Sequence, residues 1–183
     1  MNPAVSAATL EEGSLVNYRL VKAHLTAAGV ALLISMAAGF LYSLQFLGYY
    51  PFGESRALSP GHLRLVHTNL AAYGWLVNGF TAMMYYVVPR LTGQKVWSDK
   101  IGNLIFVVWQ FILLAALGGF FHDKAQAIEW GETPTGFRPG TFDLNYVPVD
   151  LLVVIGAVLV IAQFVVPLYK ARDQKFYVTL WYF

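Results

Sequence analysis

Cysteine is absent from the chain, which excludes disulfides, thiolate-held metals, iron–sulfur clusters and covalent haem attachment through a Cys-x-x-Cys-His motif. Any metal or haem must be held by histidine, carboxylate or tyrosine. Charge is scarce as well, with 12% charged residues where a soluble domain carries about 25%. The net charge of +2 is scattered over short connections, leaving no basic face for nucleic acid and no charged binding tail. Around Glu11 and Glu12 there is no basic region followed by an apolar core, so the N-terminus does not read as a cleaved signal peptide. The long apolar stretches hold no Asp, Glu, Lys or Arg in their depths, which a proton or ion path through them would usually need. Neither a hydrolytic constellation nor a phosphate-binding loop is present.

What remains is an apolar chain, 57% hydrophobic over 183 residues. Its uncharged runs are each long enough to cross about 30 Å of hydrocarbon as a helix. They predict an all-α, polytopic transmembrane bundle in a single membrane domain, residues 1–183, with spanning helices near residues 25–49, 65–89, 101–121 and 151–169. Residues 50–64, with Pro51, Gly53, Pro60 and Gly61, read as a loop, and Pro89 is expected to end the second helix. A longer polar loop covers residues 122–146. From residue 176 the chain reads Phe-Tyr-Val-Thr-Leu-Trp-Tyr-Phe, too short to span and without a polar close, as if a fifth helix were starting. The chain is therefore expected to be the N-terminal part of a longer subunit; the alternative is an aromatic tail at the interface.

Lysine and arginine are unevenly divided between the connections. Arg19, Lys22, Arg90, Lys95, Lys100, Lys170, Arg172 and Lys175 lie on one side, against Arg56, Arg64, Lys124 and Arg138 on the other. By the positive-inside rule this places the N-terminus in the cytoplasm, with His67 near the outer face, less than one turn into its helix.

An imidazole inside a membrane helix is costly unless paired, and a metal is its strongest partner, which singles out His67. On a regular helix it shares a face with Ala71, Gly74, Asn78 and Thr81. That nearly bare face would leave room for a flat macrocycle, or would equally suit close packing on another helix. His67 thus reads as a haem ligand or as an interfacial histidine bonded to a neighbour. Arg64, one turn earlier, could pair with haem propionates or simply snorkel. His122, on the same side, is a candidate second ligand or a solvated interface residue. His62 sits in the loop, and His24 lies at the opposite face, unable to share a site with them.

The run Leu63-Arg64-Leu65-Val66-His67-Thr68-Asn69, with Gly74-Trp75 and residues 84–90, Met-Tyr-Tyr-Val-Val-Pro-Arg, resembles the second helix of the catalytic subunit I of haem-copper oxidases of the C (cbb) type and of their nitric oxide reductase relatives. Residues 119–130 resemble the family's outer loop after helix three. Val147-Pro148-Val149-Asp150 resembles the entry to helix four, and Tyr177-Val178 with Trp181-Tyr182 the entry to helix five. The resemblance implies a subunit of about a dozen helices, of which this chain supplies the first four and the start of a fifth. It implies that His67 is an axial ligand of low-spin haem b. Glu129 resembles a loop glutamate associated with a calcium ion and the haem propionates, in a run one residue shorter than the family's. Copper and a second haem are expected from the part that follows.

The implied function is that of a respiratory terminal oxidase, with cytochrome c oxidase activity that reduces dioxygen to water with proton uptake. The implied setting is the inner (plasma) membrane and its lipid bilayer, with other oxidase subunits, a membrane-anchored c-type cytochrome among them, and cytochrome c as donor. The present residues alone are not expected to be active. Nitric oxide reduction is the sibling possibility. A self-contained four-helix cytochrome b using His67 and His122, or a haem-free assembly or transport subunit, are the other readings.

Overall fold

A computed structural model describes residues 15–121 and 149–172, and within them the chain is helical, without strands. Helix α1 is Tyr18–Phe46, α2 is Pro60–Asn69, a π-helical segment covers Leu70–Leu76, α3 is Val77–Thr92, α4 is Asp99–Phe121 and α5 is Val149–Lys170. Since α2, the π segment and α3 follow without a break, they act as one long helix over residues 60–92. The predicted bundle is present. Helices α1, α4 and α5 are each long and apolar enough to cross a membrane. The fifth helix expected from residue 176 and the loop over residues 122–146, with His122 and Glu129, lie outside the described residues.

The ends of the second helix differ from expectation, for local reasons. It starts at Pro60, not near residue 65, because Ser59 caps it, accepting from the backbone N–H of His62 at 3.4 Å, and Pro60 occupies the first turn, where no N–H is needed. His62 is therefore helical, not in a loop, and donates from Nδ1 to the carbonyl of Arg56 at 2.9 Å. His67 consequently lies about two turns into the helix instead of less than one. At the far end Pro89 does not stop the helix, which continues to Thr92 and closes on Gly93 in the left-handed region, φ 62°. A proline inside a membrane helix is tolerated when its surroundings re-satisfy the freed backbone groups.

Two shared contacts set the helix directions. Asn17 caps α1, its Oδ1 accepting from Leu20 N–H at 3.2 Å, while its Nδ2 donates to Asp99 at the head of α4 at 2.8 Å. These two helices therefore begin at the same end. At that end Gln163 of α5, fully buried, exchanges bonds with the Ser98 backbone and donates to the Tyr85 hydroxyl at 3.3 Å. The second helix and α5 finish where α1 and α4 start, the up-and-down order expected of short connections.

The outside of the bundle is apolar, with Leu33, Phe40, Val107, Leu114, Val158 and Ile161 all exposed, as lipid-facing helices require. Lipid is as apolar as leucine, so the helices are held by close packing and by interhelical hydrogen bonds. Two buried apolar clusters do the packing. One gathers Leu20, Val21, Tyr85, Val88 and Phe164 at the α1 N-terminal end, the other Ala31, Ala38, Leu63, Val66, Leu70 and Phe120 at the opposite end.

Between them α1 lies against Gly74 of the π segment, where a Cβ on Gly74 would sit 2.6 Å from that of Ala31. Gly74→Ala is expected to lower the midpoint of thermal or SDS unfolding of the full-length protein in detergent, costing about 1–3 kcal/mol by overpacking. Adding Ala31→Gly should recover most of the loss; an unchanged midpoint in the single variant would remove this contact from the account.

Candidate functional site: a histidine held by helix α1

The π segment decides what His67 faces. Regular helical geometry puts His67, Ala71, Gly74, Asn78 and Thr81 on one open face, but through the π turns the buried positions step by four, Val66, Leu70, Gly74 and Asn78. The wider turns bring Gly74 and Asn78 under α1. Gly74 and Asn78 are therefore covered by a neighbouring helix and do not form the open face expected beside His67. Two carbonyls of the wide turns take side-chain donors: Tyr73 O accepts from Trp109 Nε1 at 3.0 Å, and Gly74 O from Asn78 Nδ2 at 2.7 Å.

His67 itself is half-buried and lies against α1. Its Nδ1 is 2.8 Å from the carbonyl oxygen of Ser35 and 3.2 Å from the Ser35 hydroxyl, and that hydroxyl donates to the backbone carbonyl of His67 at 2.8 Å. A carbonyl oxygen only accepts, so Nδ1 must carry the proton. In the neutral imidazole this leaves the lone pair on Nε2, which makes no hydrogen bond among the described residues and is not sealed from its surroundings. One residue turn further along α1, Gly39 admits the ring: a Cβ there would be 2.6 Å from Nδ1 and 2.8 Å from Cε1. Neither Ser35 nor Gly39 is singled out in the sequence, although a serine and a glycine four apart in an apolar run form a notch on one helix face.

This is the arrangement a histidine needs to hold a metal. Ligating imidazoles almost always donate their second nitrogen to a carbonyl or carboxylate, which fixes the tautomer and ring direction and raises the basicity of the ligating nitrogen. Among the described residues no group of three or more His, Asp or Glu is placed to hold a metal ion; axial ligation of a haem asks for a single imidazole per helix. Arg64, one turn before His67, is exposed.

His24 provides the contrast. It is 1% exposed, eleven residues before Ser35 on α1, so about 16 Å away along the helix, at the opposite end as the sequence places it. Its Nδ1 meets Asn78 Oδ1 at 2.8 Å, and the same oxygen accepts from Gln110 Nε2 at 2.9 Å. With Asn78 Nδ2 committed to Gly74 O, Oδ1 is the accepting atom and His24 Nδ1 the donor. The His24 Nε2 is again unpartnered, but the rings of Tyr85 and Phe106, at 5.7 and 4.9 Å, close over the imidazole. The same tautomer thus serves two ends: at His24 a three-helix clamp, at His67 an open lone pair.

Comparison with known proteins gives this geometry its context. Residues 19–183 match the family model of cytochrome c and quinol oxidase polypeptide I. The chain belongs to this family. Among curated relatives, cytochrome c oxidase subunit 1 of Rhodobacter capsulatus is 24% identical over 155 residues, covering 84% of this chain and 26% of that protein. The cbb3-type cytochrome c oxidase subunit CcoN1 of Stutzerimonas stutzeri is 27% identical over 188 aligned positions, 100% of this chain and 35% of that protein. This oxidase polypeptide I chain therefore spans about a quarter to a third of the length of the curated relatives it matches. Membership makes it an integral membrane chain of a respiratory oxidoreductase family in which haem and copper are the cofactors.

The clamp makes an asymmetric prediction. Asn78→Leu strands the donors of His24 and Gln110 together and is expected to cost about 1–2 kcal/mol, since interhelical hydrogen bonds in a bilayer average roughly 0.6 kcal/mol each. His24→Phe keeps a ring between Tyr85 and Phe106, leaves Asn78 Oδ1 bonded to Gln110, and removes an unpartnered nitrogen, so its unfolding midpoint in detergent should stay near that of the parent. Equal losses in the two variants would contradict the assigned bonding.

Proposed function

We infer that this chain is part of the catalytic subunit of a respiratory terminal oxidase of the C (cbb) kind, and that His67 supplies an axial ligand to its low-spin haem b. The observation that carries the reading is the bond from His67 Nδ1 to the Ser35 carbonyl, 2.8 Å, which leaves Nε2 as the ligating atom. Bound haem would supply one-electron chemistry at its iron, at a potential set by axial ligand, hydrogen bonding and local dielectric.

The chain's own contribution is orientation and dryness. The Ser35 carbonyl fixes the imidazole plane, and Gly39 permits the ring's close approach. Leu63, Val66, Leu70 and Phe120 pack the surrounding bundle end and lower its dielectric, which strengthens the Ser35–His67 bond. Arg64, exposed one turn before His67 on the same helix, is the candidate partner for a haem propionate, since a guanidinium makes forked bonds to carboxylates. Glu129, outside the described residues, is the further candidate for a propionate or a calcium ion.

In this reading the full-length protein takes electrons from a cytochrome c donor, by way of a membrane-anchored c-type cytochrome among its partner subunits. It reduces dioxygen to water with proton uptake, at a haem-copper centre built by residues beyond this stretch. The lysine and arginine distribution supports an N-terminus on the cytoplasmic side of the inner membrane. Both curated relatives named above are cytochrome c oxidases, which favours dioxygen over nitric oxide.

In the full-length protein, His67→Ala is expected to abolish the low-spin haem band in reduced-minus-oxidised spectra of membranes that still contain the protein. Gly39→Ala should weaken haem retention by about tenfold, the lower end of the effect of disturbing a ligand's supporting shell, whereas Ser35→Ala, which spares the carbonyl, should keep the band. A full band in His67→Ala would overturn the assignment.

A further inference from the structure

Helices α1 and α4 do not close against each other along their outer side. They leave a trough of about 600 Å³ whose floor is Ala23, Ala27 and Ala31 of α1, residues four apart and hence in line, and whose walls include Val30, Ile34, Leu113 and Leu117. The mouth is basic, formed by Arg19 and Lys22 one turn from the start of α1. From Arg19 to Ile34 the helix rises about 22 Å, comparable with the roughly 15 Å of one leaflet's acyl layer plus a headgroup.

The charges at the mouth are not spent within the bundle. Lys22 is exposed and makes no hydrogen bond or ion pair among the described residues. Arg19 gives one nitrogen to the neutral amide oxygen of Asn103 at 2.9 Å, leaving most of its five N–H donors available. Among the described residues no carboxylate lines the trough. The nearby Asp99, at the head of α4, is held by the Asn17 amide.

We propose that this trough is a binding site for an anionic glycerophospholipid of the leaflet at the N-terminal end, one acyl chain lying on the alanine floor and the phosphate held by Arg19 and Lys22. An apolar slot one leaflet deep beneath two cations matches the amphipathic shape and the charge of such a lipid. Basic pockets between membrane helices are a recurrent way of holding anionic headgroups. Occupation fills the groove that α1 and α4 leave open, although Asn17–Asp99 and Arg19–Asn103 join the two helices near their heads.

The test uses the full-length protein reconstituted in mixed phosphatidylglycerol and phosphatidylcholine nanodiscs, with retained lipids counted by native mass spectrometry after release. The parent should keep at least one phosphatidylglycerol per subunit. Lys22→Gln should lower the preference for phosphatidylglycerol over phosphatidylcholine by about fivefold, the effect of one surface cation. Ala27→Leu, which fills the floor, should lose the retained lipid of either kind. Equal counts and equal preference in parent and Lys22→Gln would overturn the proposal. So would a parent that retains no lipid because another helix or subunit covers the trough. Since Lys22 lies on the surface, its variant remains informative even if Ala27→Leu fails to fold.

Discussion

The contact on which the site depends is a single hydrogen bond between helices, from His67 Nδ1 to the backbone carbonyl of Ser35. It does three things that would otherwise need separate devices. It satisfies one polar atom of an imidazole inside an apolar bundle, where an unmade bond is costly. It selects the tautomer, because a carbonyl cannot donate. It also ties the second helix to α1 at the bundle end where Leu63, Val66 and Phe120 are buried. The reciprocal bond from the Ser35 hydroxyl to the His67 carbonyl keeps the two backbones in register, and Gly39 provides the clearance.

Much of the fold was legible in the residues, because a bilayer imposes a simple rule: uncharged runs of sufficient length become helices. The existence and order of the four helices followed from that rule. The helix ends followed less well, since Ser59 with Pro60 is a capping signal as much as a loop signal, and a proline such as Pro89 breaks helices in water more readily than in a membrane. His67 stood out by chemistry alone, as the costliest neutral side chain in its run. Its partner did not. Ser35 acts through a backbone carbonyl that every residue possesses, so no side-chain pattern marks it. The π segment was equally hidden, as it changes the pitch without changing composition, and it moved Gly74 and Asn78 from an imagined open face to a packed one.

Two histidines of the bundle, His24 and His67, make the same bond in different surroundings. His24 and His67 each donate from Nδ1 and leave Nε2 bare. What differs is the surroundings. Around His24, Tyr85 and Phe106 close the space, and Asn78 with Gln110 completes a clamp joining α1, α3 and α4. His67 is bonded to α1 through Nδ1, and its Nε2 is not enclosed among the described residues. A rigid clamp near the N-terminal end of α1, together with the Gln163 bonds beside it, holds the helices so that the half-buried imidazole keeps its direction at the other end. That division of labour suits a family whose members must hold a cofactor within a bundle much larger than these four helices.

The most direct test of this account is a structure of the full-length, haem-loaded protein at a resolution that orients the His67 ring. The account predicts iron on His67 Nε2, with Nδ1 still donating to the Ser35 carbonyl. Iron on a different residue, or a flipped ring that ligates through Nδ1 and has lost Ser35, would contradict it.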